Sequence, residues 1–219
     1  GLGTENQNMP AFVVLPDPRG GIKGGPPAWG SGFLPAAYQG ITIRPGEHPI
    51  LDLKPQPGVK AGEQLKTLKL IQDFNHIYAR QQPHDDELEA RIASYELAFR
   101  MQTEAPELVD ISEETDATHK MYGLHQPHTS DFGRRCLLAR RMIERGVRFV
   151  QVYSGDTGGW DAHRHVINNH SQNCGETDLP VAGLLRDLKQ RGLLEDTLVI
   201  WGGEFGRMPM SGQGKGRGL

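Results

Sequence analysis

The sequence has few of several residue types, and each shortage limits what the protein can be. Its 219 residues include only two cysteines, Cys136 and Cys174, which are too few for a disulfide framework and are not spaced as in a zinc ribbon. No run approaches the roughly 18 consecutive apolar residues that a membrane-spanning helix needs. Charge of one sign is not in large excess, because the net charge is -3. This value gives no reason to expect nucleic acid or an anionic membrane as a partner.

Aromatic residues are also scarce, at 7%, and hydrophobic residues make up 37% of the chain, so we expect a folded but modest core. Glycine and proline are abundant instead, with 28 and 15 copies. About half of them fall in residues 1–62, where only Phe12–Leu15 has the character of a buried strand, which ends at Pro16. We predict that residues 1–62 form a Gly/Pro-rich flap with one strand, lying over the rest of the chain. A disordered tail is the alternative.

Residues 63–219 are predicted to form an α/β segment of a single larger domain. After residue 62, apolar residues at steps of three and four indicate a helical hairpin that is broken at Pro83. A further helix over 131–145 is predicted to bury Phe132 and Cys136 and to hold its charged residues on the opposite face.

Two strands are predicted in the last third of the chain. Residues 147–153 and 197–201 are rich in β-branched and aromatic side chains, and a helical stretch lies between them. This β-α-β order is typical of parallel strands in an α/β sheet, joined by a right-handed crossover. Ligands of such sheets bind at the carboxyl ends of the strands, because loops and helix N-termini converge there.

The loops that follow these two strands contain the candidate site residues. They are Asp156, Asp161, His163 and His165 after the first strand, and Glu204 and Arg207 after the second. Carboxylates with imidazoles form the ligand set of hydrolytic sites with a divalent metal, which polarises an ester oxygen or deprotonates water. Asp161 and His163 can face one ion only if the loop turns, which the preceding Gly158-Gly159 pair allows.

Each candidate has an expected role. Asp161 and His163 are expected to bind the metal, and Glu204 to bind it or to orient a ligand. Asp156 and His165 are expected beside these ligands or at the substrate. Spacing alone leaves open that Asp161 is only a helix N-cap and that the histidine beside it is a surface residue.

Arg207 also has two interpretations. Its guanidinium can pair an anionic oxygen of a sulfate or phosphate through two hydrogen bonds, or it can form a structural salt bridge.

Several stretches around these loops make the chain similar to a known family. They are residues 149–156, residues 159–163 with a Trp-Asp-x-His motif, and residues 196–209 with a Glu-Phe-Gly-Arg motif. Residues 1–16 and 89–101 extend the likeness over nearly the whole chain. The sequence thus resembles the bacterial domain-of-unknown-function 1501 family, often labelled sulfatase-like.

This resemblance implies a partial alkaline phosphatase-like α/β/α sandwich, whose members hydrolyse or transfer phosphate and sulfate esters at a metal pair. It implies an exported protein, periplasmic or secreted, that uses Zn, Mn, Ca or Mg and acts on a small anionic ester or a sulfated glycan. The run from Cys136 to Arg140 misses the formylglycine sulfatase motif at Leu138. Its predicted place on a buried helix face argues against a nucleophile there.

The sequence departs from the family pattern at three places. Phe205 stands where related enzymes carry a ligand histidine. Family members begin with an export signal, a strand with a metal-ligand Asp and the nucleophile region. They also continue Gly-Arg-Asp-His, where this chain reads Gly216-Arg217-Gly218-Leu219. The resemblance therefore predicts a segment truncated at both ends and inactive by itself, with the nucleophile elsewhere. The alternative is a non-catalytic binding or surface-associated protein that retains the fold.

Overall fold

The computed structural model describes residues 6, 8–20, 22, 24–44, 61–81, 86–155, 159–162 and 164–203. This part of the chain combines helices with a small parallel sheet, as expected of an α/β protein. The strands are β1 (Phe12–Leu15), β2 (Ile41–Thr42) and β3 (Phe149–Val152). The helices are α1 (Ala61–Gln81), α2 (Asp86–Val109), α3 (Asp116–Met121), α4 (Ser130–Glu144) and α5 (Val166–Gln190). Short 3-10 turns cover Pro26–Trp29, Ala36–Tyr38 and Leu193–Glu195.

β1 lies in the centre of the sheet, between β2 and β3, and both pairings are parallel. Val13 and Val14 are fully buried, as a continuous apolar run in a parallel strand requires. Leu15 pairs with Val152, so the carboxyl ends of β1 and β3 lie side by side. The two predicted strands that became β1 and β3 are confirmed. Residues on either side of the proposed boundary at residue 62 share this sheet.

Helix α4 packs against the sheet and supplies much of the core. The main core cluster consists of Met9, Val13, Leu15, Ile43, Leu108, Leu138, Ala139, Met142 and Val147. A second cluster around Tyr122 and Leu137 joins α4 to α5, and it contains Phe132 and Cys136, which are buried as predicted. Burial of one such large apolar side chain stabilises the fold by about 1.5–3 kcal/mol. The α4 side chains therefore hold both the sheet and α5 in place.

The charged residues of α4 do not all lie on a solvent-facing side, and the sequence prediction was wrong on this point. Arg135, Arg140 and Arg141 are all buried. Arg140 pairs with Glu114 at 2.7 Å and with Asp187 at 2.9 Å. Glu114 also pairs with Arg141, at 2.5 Å. A buried charge is costly unless it is paired, and these partners come from other elements, which the periodicity of one helix cannot show.

The predicted helical hairpin is present as α1 and α2, which contact each other. Gln72 of α1 donates a hydrogen bond to Glu96 of α2 at 2.7 Å. Large side chains on another face of α1 are more than half exposed, among them Leu70 at 57% and Phe74 at 63%. Within the described residues, the apolar periodicity of α1 is therefore only partly used in packing.

Residues 197–201 do not form a strand, so this prediction was wrong. Leu198 is 84% exposed and Ile200 is 75% exposed. β-propensity expresses how well a side chain fits a pleated, half-buried surface, and this segment meets no such surface within the described part of the chain.

Candidate functional site

The candidate site lies at the edge of the sheet where β1 and β3 end. β1 is followed directly by Pro16 and Asp17, and β3 by Tyr153, Ser154 and Gly155. The structure thus places the loop after β3 beside the start of the segment that follows β1. We call residues 154–162 the Asp161 loop; of these, 154–155 and 159–162 are described.

Asp17 is the most constrained carboxylate at this edge, with a side chain that is 0% exposed. Its Oδ2 accepts a hydrogen bond from the backbone amide of Gly155 at 2.8 Å. Arg19 donates from its own backbone amide and Nε to Oδ1, both at 2.9 Å, and from Nη2 to Oδ2 at 2.7 Å. Burial by itself would raise the pKa of the Asp17 carboxyl. The hydrogen bonds from Arg19 and Gly155 outweigh burial and hold that pKa well below its usual range.

Arg135 of α4 ties the two strand ends together. Its Nη1 donates to the carbonyl oxygen of Pro16 at 3.2 Å and also to that of Tyr153. Its Nη2 pairs with Asp131 at 2.7 Å and lies 3.6 Å from Asp17. One buried guanidinium therefore donates hydrogen bonds to carbonyl groups of both strands where the ladder of the sheet stops.

The Asp161 loop is held by side chains from several positions. Trp160 Nε1 donates to the carbonyl oxygen of Ser154 at 3.0 Å, which closes the loop on itself. Asn169 and Asn173 of α5 both donate to the carbonyl oxygen of Gly159, at 2.9 Å and 2.6 Å. The loop is therefore fixed to the helix that follows it.

Two glycines make this tight path possible. Gly155 has a φ of 67°, in the left-handed region that other residues seldom adopt. A Cβ on Gly159 would lie 2.6 Å from the Gly155 carbonyl oxygen and 2.8 Å from its Cα, closer than real Cβ atoms approach. Backbone conformation thus explains Gly155, and close backbone contact explains Gly159.

Two of the six candidate residues lie in the described part. Asp161 is half-buried in the Asp161 loop, immediately after Trp160. His165 is exposed and is the N-cap residue of α5, with a left-handed φ of 51°. Since His165 takes the N-cap position, the alternative that Asp161 caps this helix is not supported.

The other four candidates, Asp156, His163, Glu204 and Arg207, lie outside the described residues. Among the residues that the structure describes, no group of three or more His, Cys, Asp or Glu side chains could hold a metal ion. The side chains of Asp161 and His165 are suitable ligands for a divalent cation, but two such ligands do not complete a metal site. The metal, whether Zn, Mn, Ca or Mg, stays a prediction that depends on the other candidates.

The thiol of Cys136 is not a nucleophile in this structure. It is 1% exposed, and burial raises its pKa to about 12, so the reactive thiolate is not populated near neutral pH. This agrees with the interpretation of Cys136 as a core residue.

Sequence analysis missed Asp17, Arg19 and Arg135. Asp17 lies two residues after a predicted strand, so the strand-end rule that selected Asp161 could have found it too. However, Asp17 stands between Pro16 and Pro18, a pattern that is more typical of a turn than of a site. Arg135 has no such signal, because it belongs to a helix and reaches the site only through tertiary packing.

Within the described residues, none of the helices is both long and apolar enough to span a bilayer.

Comparison with known proteins identifies the family but assigns no activity. No curated protein and no solved structure matches the chain. A family model described as "Protein of unknown function (DUF1501)" matches residues 1–218. The chain therefore belongs to the DUF1501 family, as the Trp-Asp-x-His and Glu-Phe-Gly-Arg motifs indicated.

Proposed function

We propose that the chain carries part of the site of a metal-dependent hydrolase of sulfate or phosphate esters, in an exported protein. The observation that supports this proposal is the fixed Asp161 loop at the carboxyl edge of β1 and β3. Catalytic groups need to be held close to their working geometry, and loops anchored to rigid elements achieve this. We further propose that the sheet belongs to an alkaline phosphatase-like α/β/α sandwich.

In this proposal the residues have separate roles. Asp161 and His163 bind a divalent metal, and Glu204 binds it or orients another ligand. Asp156 and His165 lie beside these ligands or at the substrate. When bound, the metal would polarise the ester or acidify a water molecule.

Arg207 is proposed to pair the anionic oxygens of the sulfate or phosphate group. The substrate would be a small anionic ester or a sulfated glycan. A planar guanidinium suits this role because its donors match two oxygens of such a group.

Metal binding by the 219-residue chain tests the proposal. Metal-free protein is titrated separately with Zn²⁺, Mn²⁺, Ca²⁺ and Mg²⁺ by calorimetry, and bound metal is measured after dialysis. We expect one of these ions to bind stoichiometrically, and Asp161→Asn to weaken its affinity by at least about tenfold, since an amide is a much poorer ligand than a carboxylate.

The matched control for this experiment is Asp178→Asn, an exposed carboxylate on α5. It should bind metal like the unmodified chain. If no ion binds, or if Asp161→Asn and Asp178→Asn bind equally well, the metal assignment is wrong. A non-catalytic binding protein then becomes the better description.

A further inference from the structure

We propose that Asp17 is a positioning residue that holds the Asp161 loop at two points, Gly155 and Gly159, through two separate sets of contacts, which we call the first and the second arm. Its importance for a reaction rests on the proposed function. We call these contacts of Asp17 with Gly155, and through Arg19 and α5 with Gly159, the Asp17 clamp. The clamp can be measured without any enzymatic activity.

The first arm is direct and fixes the start of the loop. The amide of Gly155 donates to Asp17 Oδ2 at 2.8 Å, a contact between residues 138 positions apart in sequence. Arg135 holds the carbonyls of Pro16 and Tyr153 next to it. Because Asp17 and Arg135 are both buried, water cannot easily replace these bonds when the loop moves.

The second arm runs through α5 and holds the loop at Gly159. Arg19 bridges Asp17 and Glu176, at 2.7 Å to each. Glu176 lies about one helical turn after Asn173, which donates to the carbonyl oxygen of Gly159 at 2.6 Å. Together with the first arm, these contacts form a closed ring that includes the loop and in which both arms begin at Asp17. The ring runs through Asp17, Arg19, Glu176, Asn173, Gly159 and Gly155.

The same contacts argue that Asp17 is not itself a metal ligand. A carboxylate at the end of a central parallel strand is a common place for a ligand. Here, however, Oδ1 accepts two hydrogen bonds from Arg19, and Oδ2 accepts bonds from Arg19 and Gly155. Asp17 therefore acts on the site through the residues that it orders.

Hydrogen exchange of the full 219-residue chain tests the clamp. In Asp17→Asn, the amides of residues 154–162 should exchange at least about tenfold faster, because the charge-assisted bonds are lost, while those of α4 keep their rates. The matched control is Asp116→Asn, which removes an exposed carboxylate paired with Lys120 on α3. It should leave the loop unchanged. A loop that keeps its original rate in Asp17→Asn, or that accelerates no more than α4 does, would overturn the proposal.

A second variant covers the case in which Asp17→Asn does not fold. Arg19→Gln breaks the second arm at both Asp17 and Glu176 but leaves the bond from the Gly155 amide to Asp17 in place, and the Arg19 side chain is 46% exposed, so the fold should tolerate the change. We expect a smaller acceleration, about threefold, over residues 159–162. Unchanged exchange there would contradict the ring.

Metal titration separates this inference from the proposed function. If the unmodified chain binds Mn²⁺, Asp17→Asn should reduce the affinity about tenfold and keep the stoichiometry, because the ligands remain but are less ordered. Equal affinity in the two proteins would show that Asp17 does not position the site. If the unmodified chain binds no metal, the proposed function fails, and hydrogen exchange still decides on the clamp.

Discussion

Two of the three buried arginines of helix α4, Arg135 and Arg140, make contacts of different kinds. Arg135 pairs with Asp131 and also donates to the backbone carbonyls of Pro16 and Tyr153 at the strand ends. Arg140 pairs with three carboxylates, which belong to Glu114, Glu144 and Asp187. One helix thus contributes to the candidate site at one position and to a network of paired charges at another.

The difference shows what a buried charge does in each place. A guanidinium that donates to backbone carbonyls fixes the path of the chain. The cluster around Arg135 and Asp17 therefore determines the backbone geometry at the strand ends. Guanidinium groups that donate to carboxylates neutralise charges from different elements. The cluster around Arg140 therefore determines how α4, α5 and the turn at Glu114 pack. Burial would raise the pKa of Glu114, but Arg141 and Arg140 outweigh it and lower that pKa.

The largest effect is expected when the Arg140 network is broken. Arg140→Met removes the buried cation that the carboxylates of Glu114 and Asp187 share, and should destabilise the fold by about 3–5 kcal/mol. Chemical denaturation measures this change. Arg186→Met, at an exposed position of α5, is the control and should be nearly neutral. Equal midpoints for the two variants would mean that the network is not a main source of stability.

A smaller and more local effect is expected at Gly159. A methyl group in Gly159→Ala would collide with the backbone of Gly155, so the Asp161 loop must move, at a cost of about 1–3 kcal/mol. Hydrogen exchange should locate the change in residues 154–162.

The control for this change is Gly175→Ala on α5, where an added Cβ meets no atom within 4 Å. Alanine should stabilise that helix by about 0.5–1 kcal/mol. If Gly159→Ala were as stable as Gly175→Ala, the backbone of Gly155 would not restrict the side chain at position 159.

The smallest effect is expected from acid. The pKa of Asp17 is lower in the folded chain than in the unfolded chain. Its contribution to stability is therefore complete above about pH 4 and is lost as the pH falls below that value. Unfolding measured from pH 6 to pH 3 should show a shallower acid decline in Asp17→Asn than in the unmodified chain. Parallel curves would contradict the lowered pKa.

The sequence predicted those features that depend on local pattern. Apolar residues at helical spacing located the hairpin and α4, and the β-branched run of residues 147–153 located β3. The rule that ligands gather at the carboxyl ends of parallel strands selected the Asp161 loop, which follows β3 in the structure. This rule can be applied to a sequence because it needs only the order of the elements.

The remaining features depend on partners that are distant in sequence. The segment 197–201 has strong β-propensity but forms no strand in the described structure, since propensity cannot supply a neighbouring strand. The arginines of α4 look like residues of a solvent-exposed face, but carboxylates from other elements make their burial tolerable.

The sequence alone determined the family, the α/β character and the position of the loop that carries Asp161, because motifs and periodicities are local. Tertiary structure alone decided that Asp17 joins that loop to the end of the central strand. The bond from Gly155 to Asp17 spans 138 positions, and it forms because parallel pairing of β1 with β3 places their carboxyl ends together. Folding brought these groups to hydrogen-bonding distance and buried them, and burial makes their mutual contacts strong.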